Sequence, residues 1–379
     1  MDSIEVHLLP SRSLSGTSAR VYTASVVGDA QVVESPNTLR LTNPTDGNGQ
    51  SPTDVYRDQL RLATVPIREE LRMVEQMLRR ELQVGQPHMR EMLSYVAELG
   101  GKRLRPCLLL LAANASGAIS EETIRLSVVV ELVHTATLVH DDVLDGAIAR
   151  RHKETIHQKW SVPASVLVGD WLFTNAYGLA NKGSSTIPGR WIAQAAKQVC
   201  EGEIMQGNSI GHFEMEIPEY IRLLEAKTGA LCAVSCSLGA WSAGADDATC
   251  HRLQQYGLRL GTAFQVFDDW LDVWGRQDLA GKTLGTDLVS FKPTLPAMRT
   301  LERMPDQVRQ SMIKRLNNGE SAATEELRLA MDQCDASDYT KKISKAMIED
   351  AVRFLDDLPD NASVTALRQL ATSSIERNG

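Results

Sequence analysis

Two stretches of this chain are apolar on nearly every side of a helix, and they restrict the possible fold more than any other feature. Leu126–Val139 and the alanine-rich Leu231–Ala243 lack the single apolar stripe that marks a surface helix. Such helices are stable only when other elements surround them. The sequence therefore predicts two central helices inside a larger structure.

The rest of the chain has the periodicity of helices as well. From about residue 56 onward, apolar residues recur at intervals of three and four, while no run of alternating residues predicts strands. Turn-forming residues separate the periodic stretches. We predict an all-α bundle with a buried centre. The longest predicted helices lie at about 120–141, 161–181, 190–208, 217–242 and 246–274.

Residues 1–53 differ from the remainder. They are rich in Ser, Thr, Pro, Gly and Asn, and contain a single aromatic residue, Tyr22. A segment of this composition buries too little apolar surface to offset its ordering entropy. We predict a disordered N-terminal tail at 1–53 and one helical domain at 54–379.

Two aspartate clusters of the same form, DDVLD at 141–145 and DDWLD at 268–272, occur at the ends of predicted helices. In each cluster the first and last carboxylates are four residues apart, which places them on one helix face. Carboxylates near a helix C-terminus are disfavoured by the helix dipole. Mg²⁺ prefers oxygen ligands and often bridges carboxylates to phosphates. The pattern indicates a metal-dependent enzyme that acts on a diphosphate.

A glycine pair followed by cations, GGKRLRP at 100–106, precedes the first cluster. Taken alone, such a segment fits a solvated basic loop as well as it fits an anion-binding site. Next to two carboxylate clusters it becomes a candidate site for a second anion, because Arg and Lys bind phosphate oxygens.

Composition excludes several classes of protein. The net charge of −8 argues against a general nucleic-acid binder, and no apolar run is long enough to span a bilayer. The six cysteines are scattered without a CxxC pair, which predicts buried reduced thiols and a cytoplasmic location.

Five ordered motifs resemble those of the trans-isoprenyl diphosphate synthase family, most closely its octaprenyl and solanesyl members. They are GGKRLRP, HTATLVHDDVLD followed by ARR, AKTGAL, FQVFDDWLD and GKTLGTDLVSFKPTLP. The resemblance covers roughly residues 56–375. It implies an isoprenoid-synthase-type bundle around a central cavity, Mg²⁺ as cofactor, and a homodimer.

The resemblance also assigns residues to roles in joining isopentenyl diphosphate to an allylic prenyl diphosphate. The metal ligands it implies are Asp141, Asp145, Asp268 and, through water, Asp272. The allylic diphosphate would be held by Arg150, Lys227, Thr228, Gln265 and Lys282. Isopentenyl diphosphate would be held by Lys102, Arg105, His134 and Arg151.

Two positions depart from the family pattern. His152 and Phe291 stand where the family usually has glycine. Phe291 precedes Lys292, which in the family contacts a diphosphate, so the bulky neighbour puts the backbone of that loop in question.

Product length in this family is thought to depend on what blocks a channel below the first cluster. Short-chain enzymes place aromatic residues four or five positions before the first aspartate, where this chain has Thr137 and Ala136. Val133 follows one turn further down. These small side chains favour a medium or long polyprenyl product, with a shorter geranylgeranyl-type product as the alternative.

Two other classes of protein remain as alternatives. A class I terpene cyclase would ionise the same diphosphates but has no use for the GGKRLRP site. A regulatory synthase subunit tends to lose the aspartates, which this chain keeps.

Overall fold

The structure is a computed structural model that describes residues 61–151, 153–275 and 284–376. The predicted tail at 1–53, His152 and Lys282 lie outside these ranges. Within them the chain is helical, apart from a two-residue antiparallel pair of Ala149–Arg150 with Lys153–Glu154. The all-α prediction is confirmed, and the short strand pair is an addition that the sequence did not indicate.

We number the elements of the described ranges in chain order. They are α1 (Arg68–Glu81), α2 (Pro87–Glu98), α3 (Leu104–Ser116), α4 (Glu121–Leu144), β1 (Ala149–Arg150), β2 (Lys153–Glu154), α5 (Ile156–Lys159), α6 (Val162–Ala180), α7 (Ile187–Ser209), α8 (Ile217–Leu224), α9 (Ala230–Ser242), α10 (Asp247–Trp274), α11 (Thr286–Val289), α12 (Leu295–Glu302), α13 (Asp306–Asn317), α14 (Ser321–Asp332), α15 (Ala336–Arg353) and α16 (Ala362–Ser374). A 3₁₀ turn, Val65–Ile67, precedes α1, and a π-helical turn, Glu225–Gly229, joins α8 to α9.

The two helices predicted to be central are central. In α9 every residue from Ala230 to Ala240 is buried, and most of α4 is buried as well. Helices α9 and α10 approach closely at Gly257, where an added Cβ would lie 2.5 Å from the carbonyl oxygen of Cys232. Glycine is therefore required there, and the close approach fixes α10 against the centre of the bundle.

Helices α4 and α10 begin at side-chain caps. Ser120 Oγ accepts from the Thr123 amide and the Ser120 amide donates to Thr123 Oγ1 at the start of α4, and the Asp246 carboxylate accepts from the Thr249 amide at 2.8 Å to cap α10. Helix α4 ends with Asp145 at its C-cap, and α10 ends two residues after Asp272. Both aspartate clusters therefore lie in last turns, as predicted.

The structure also bears on the predictions about the cysteines and about membrane-spanning helices. Four cysteines are buried, but Cys200 is exposed on α7, and Cys334 is partly exposed in the turn between α14 and α15. Among the described residues, no helix is both long enough and apolar enough to cross a membrane.

Candidate active site

In the first aspartate cluster the three carboxylates have different surroundings. Asp142 is only 3% exposed and binds Arg150, with Asp142 Oδ1 2.8 Å from Nε and 2.7 Å from Nη2. The strand pair after α4 turns the chain back and brings Arg150 to this position. Asp141 is half-buried and Asp145 is exposed. The outer carboxylates of the cluster thus remain accessible, while the middle one is neutralised.

Asp141 faces a lysine–glutamate pair on the neighbouring helices. Burial and the nearby Glu203 raise the pKa of Asp141, Lys227 opposes the rise, and the resulting pKa is about 7. Lys227 Nζ donates to Glu203 Oε2 at 2.8 Å and to Gln206 Oε1 at 2.7 Å. The site therefore contains more negative charge than its lysine offsets, which suits a bound cation.

Lys227 and Thr228 lie in the π-helical turn between α8 and α9. Such turns are rare and are frequent at functional sites. Gly202 of α7 permits the close approach of this turn, since a Cβ there would lie 2.6 Å from the Lys227 amide nitrogen. The sequence predicted one continuous helix over 217–242 and gave no indication of the turn that places Lys227.

Neutral side chains connect this turn to the second cluster. Thr228 Oγ1 donates to Gln265 Oε1 at 3.2 Å, and Gln265 Nε2 donates to Asp269 Oδ1 at 3.2 Å. Tyr220 donates its hydroxyl proton to Asp269 Oδ2 at 2.7 Å. Burial and the nearby Asp287 raise the pKa of Asp269, and these hydrogen bonds oppose the rise. Thr228 and Gln265 therefore lie beside the second cluster, as the family motifs imply.

The last aspartate of the second cluster is part of the scaffold. Asp272 is 2% exposed, and its carboxylate accepts from the Asp287 amide at 3.1 Å and from Thr286 Oγ1 at 3.4 Å. Its carbonyl accepts from the Gly285 amide at 2.8 Å. Asp272 thus fixes the start of the short helix α11. Asp268, by contrast, is only half-buried and keeps exposed surface.

Lys292 lies between the first cluster and Asp287 of α11. Its Nζ lies 3.5 Å from Asp145 Oδ1 and 3.6 Å from Asp287 Oδ1. Burial would lower the pKa of Lys292, but Asp287 and Asp145 outweigh that effect and raise it. Phe291 beside it has φ of 54°, the left-handed conformation that favours glycine. The phenylalanine therefore keeps a backbone conformation of the kind that the family's glycine would adopt.

Two of the residues predicted to hold isopentenyl diphosphate, His134 and Arg151, line a cleft between α1, α2, α4 and the strand pair. Asp142 and Arg150 line it as well, so the cleft adjoins the first aspartate cluster. Lys102 and Arg105 are not among its lining residues. Burial lowers the pKa of His134 well below its usual range, and Arg105 and Arg151 lower it further, so the imidazole is neutral. Arg105 Nε is buried and has no hydrogen-bond partner within the described ranges. Lys102 is exposed on the same loop. A buried guanidinium nitrogen without a partner fits an anion-binding site.

The positions predicted to set product length differ in exposure. Thr137 retains some exposed surface, whereas Ala136 and Val133 have none. Thr137 donates its hydroxyl proton to the His134 carbonyl at 2.8 Å. Of the three positions, Thr137 is therefore the one with accessible surface.

The donors present fit a hard divalent cation that is shared with a ligand. In the described part of the chain, no three His, Cys, Asp or Glu side chains converge closely enough to hold a metal ion by themselves. Aspartate carboxylates are the donors that Mg²⁺ uses when phosphate oxygens and water complete its shell. The pKa of Asp141 is raised first by burial and then by Glu203, and a bound cation would favour the charged form of this carboxylate.

Three residues at the site were missed by sequence reasoning. Glu203 and Gln206, three apart on α7, bind Lys227, and Tyr220 binds Asp269. The spacing of Glu203 and Gln206 places them on one helix face and could have indicated a polar partner. Nothing in the sequence around Tyr220 indicates its hydrogen bond.

Comparison with known proteins agrees with this geometry. The sequence model of the polyprenyl synthetase family matches residues 86–334. The octaprenyl diphosphate synthase of Haemophilus influenzae is 34% identical over 77% of this chain and 89% of its own length. The geranylgeranyl diphosphate synthase of Methanosarcina mazei is 32% identical over 75% of this chain and 88% of its own length.

A crystal structure extends the similarity to three dimensions. It is that of a polyprenyl synthase from Caulobacter crescentus, complexed with calcium and isoprenyl diphosphate. It matches with a TM-score of 0.80 and 31% identity, over 84% of this chain and 98% of that one. The isoprenoid-synthase-type fold is thereby confirmed, and this chain belongs to the polyprenyl synthetase family of trans-prenyl diphosphate synthases.

Proposed function

We propose that the protein condenses isopentenyl diphosphate head-to-tail onto an allylic prenyl diphosphate, with Mg²⁺ as its metal and a medium or long polyprenyl diphosphate as product. The observation that supports this most strongly is the pairing of two sites. Carboxylates with exposed surface lie at the ends of α4 and α10, and an adjoining cleft is lined by His134, Arg103 and Arg151. Two diphosphates of different roles require two such sites.

Asp141, Asp145 and Asp268 would hold the metal ions, with Asp272 supporting them from the scaffold. When bound, the metal would stabilise the negative charge that develops on the departing diphosphate. Lys227 and Arg150 would add positive charge around the same group, and Thr228 and Gln265 would orient it. The family motif implies the same role for Lys282, which lies outside the described residues. Lys292 already lies next to Asp145, so it can move to a phosphate oxygen without crossing the site.

In the second site, Lys102, Arg105 and Arg151 would hold the diphosphate of isopentenyl diphosphate. His134, being neutral, has one N–H to donate to a phosphate oxygen. The substrate's double bond attacks the allylic carbon as the carbon–oxygen bond breaks, and a proton then passes to the released diphosphate. The side chains therefore bind, orient and exclude water, and none serves as a nucleophile.

The length of the product would be set below Asp141, where Thr137 is the exposed member of the predicted channel residues. Replacing Thr137 with phenylalanine would place an aromatic ring one turn below the metal site. We expect T137F to shorten the main product by one isoprene unit or more, as measured by chromatography of the dephosphorylated products. T137S is the matched control, and an unchanged product from T137F would refute the proposed channel.

The same proposal includes a homodimer. Val162, Val166 and Leu167 are large apolar residues exposed on one side of α6, and Ile204 is exposed on α7. Burial of this surface by a second copy would remove apolar area from water. Sedimentation of the wild type and of V166E would test this, with a shift of V166E toward monomer as the expected result.

The central experiment is incubation of the purified protein with Mg²⁺, labelled isopentenyl diphosphate and farnesyl diphosphate. A ladder of products that ends in a long polyprenyl diphosphate would support the proposal, and a single twenty-carbon product would favour the geranylgeranyl alternative. Release of diphosphate from the allylic substrate without incorporation would indicate a cyclase. Absence of both reactions would indicate a subunit that needs a partner.

A further inference from the structure

Arg103 lies in the middle of the GGKRLRP segment, but its charge is already compensated inside the protein. Its guanidinium forms ion pairs with Glu75 of α1 and with Glu131 of α4, where Nη1 lies 2.8 Å from Glu131 Oε1. Its side chain is 13% exposed. Arg103 is thus separated in role from Lys102 and Arg105, although the three are neighbours in sequence.

The backbone at Arg103 has an unfavourable conformation that something must maintain. Its φ is 53°, in the left-handed region that non-glycine residues avoid, and it directly precedes the first turn of α3. This conformation sets the direction in which the chain enters α3. It therefore determines where Lys102, before it, and Arg105, after it, are presented.

Glu131 lies beneath this segment and is almost completely buried. Its carboxylate is 4% exposed, one oxygen binds Arg103, and Oε2 has no hydrogen-bond partner within the described ranges. A Cβ added to Gly101 would lie 3.3 Å from Glu131 Oε1, 2.9 Å from Arg103 Nη1 and 3.4 Å from Arg151 Nη1. The loop, the carboxylate and both arginines therefore meet at one point.

Arg151 also binds the start of the same loop. Its Nη1 donates to the Leu99 carbonyl at 2.9 Å, immediately before the glycine pair. Burial, Arg150 and Arg103 lower the pKa of Arg151, and Glu131 opposes them. Glu131 thus compensates charge on two arginines that border the predicted isopentenyl diphosphate site.

We propose that Glu131, with Glu75 as its outer partner, is a positioning residue that holds Arg103 in the left-handed conformation and so arranges Lys102, Arg105 and Arg151 around the isopentenyl diphosphate. Glu131 does not touch the substrate in this scheme. The proposal rests on the proposed function, because it assigns the second diphosphate to this cleft.

The isosteric change E131Q distinguishes this role from two others. A positioning role predicts that KM for isopentenyl diphosphate rises about tenfold or more, while KM for the allylic substrate and kcat stay within about twofold. A carboxylate that merely repels an anion would give the opposite sign, a lower KM. A purely structural residue would lower kcat and the melting temperature without a selective change in KM, and either result would overturn the proposal.

Two companion variants make the test specific. E122Q removes another α4 carboxylate, which lies at the start of the helix and pairs with Arg125 at 2.8 Å. This variant should leave both KM values unchanged. E75Q removes the more exposed partner of Arg103 and should raise KM for isopentenyl diphosphate in the same direction by a smaller factor. If E131Q does not fold, an unchanged KM in E75Q overturns the proposal.

A binding measurement separates this proposal from the proposed function. If the wild type incorporates no isopentenyl diphosphate, the proposed function fails, but binding of inorganic pyrophosphate in EDTA still reports on the arginine cleft. We then expect E131Q to bind pyrophosphate about tenfold more weakly than the wild type and E122Q. Equal affinities would refute the positioning role.

Discussion

In the first aspartate cluster the middle carboxylate, Asp142, is bound by a cation, Arg150, whereas the middle carboxylate of the second cluster, Asp269, is bound by the neutral Tyr220 and Gln265. The last carboxylates differ even more. Asp145 is exposed and lies near Lys292, while Asp272 is buried and holds the backbone of residues 285–287. One sequence pattern thus gives two environments, an open one on α4 and one built into the scaffold on α10.

This difference suggests that the first cluster mainly binds a ligand and that the second cluster also stabilises the scaffold. On α4 the outer carboxylates are available to a ligand, and burial together with the nearby Glu203 raises the pKa of Asp141 to about 7. On α10 much of the hydrogen-bonding capacity is used to fix the polypeptide around α11. Removal of a carboxylate from α4 should therefore lower activity. Removal of Asp272 from α10 should lower both activity and the free energy of unfolding.

The largest effect is expected for Asp141→Asn. The amide keeps the shape but removes the charge that would bind metal next to the departing diphosphate, so kcat should fall by about 10²–10³-fold. Steady-state incorporation of labelled isopentenyl diphosphate measures this. Asp356→Asn, which removes an exposed ion pair with Arg368 at 2.8 Å, is the control and should be active. A loss smaller than about fivefold in D141N would contradict a catalytic first cluster.

At Asp272 two substitutions separate the scaffold role from the metal role. Asp272→Ala removes both side-chain acceptor bonds and should lower the free energy of unfolding by about 1–2 kcal/mol. Asp272→Asn keeps an acceptor oxygen and should retain most of that stability while it reduces activity. Urea unfolding and kcat are measured on both variants. If D272A were as stable as the wild type, the contrast between the clusters would be wrong.

The pH dependence of metal binding should also show the open character of the first cluster. A carboxyl group whose pKa is raised to about 7 is protonated below that pH, so a metal ion must displace a proton to bind it. The apparent affinity for Mg²⁺ should thus fall by up to about tenfold per pH unit below pH 7 and level off above about pH 8. Calorimetric titration at several pH values from below 7 to above 8 measures this, and an affinity independent of pH would show that Asp141 is not a ligand.

Much of this architecture follows from the sequence because it depends on local periodicity. The bounds of α4, α6, α7 and α10, the cap at Asp246 and the position of both clusters are set by nearby residues. The π-helical turn at Lys227 depends instead on Gly202 of another helix, and the pairing of Arg103 depends on residues 28 positions away on either side. Such contacts depend on tertiary packing, which no spacing along the chain reveals.

The backbone conformation of Phe291 also depends on tertiary contacts that the sequence does not reveal. Replacement of Phe291 is expected to have the smallest effect of the changes considered. Its left-handed backbone is supported by bonds from the Gly211 amide to its carbonyl at 2.8 Å and from the Lys292 amide to the Asp287 carbonyl at 3.0 Å. Phe291→Gly would relieve about 1–2 kcal/mol of strain but lose packing of the ring against the nearby apolar cluster and add freedom to the unfolded chain.

These contributions oppose one another, so F291G should change the free energy of unfolding by less than about 1 kcal/mol and kcat by less than about twofold. Phe291→Ala is the informative companion, since it loses the ring without gaining glycine's conformational freedom and should be the less stable of the two. Urea unfolding and kcat measure both. A large loss of kcat in F291G would mean that the aromatic ring, and not the two backbone bonds, holds Lys292 beside Asp145 and Asp287.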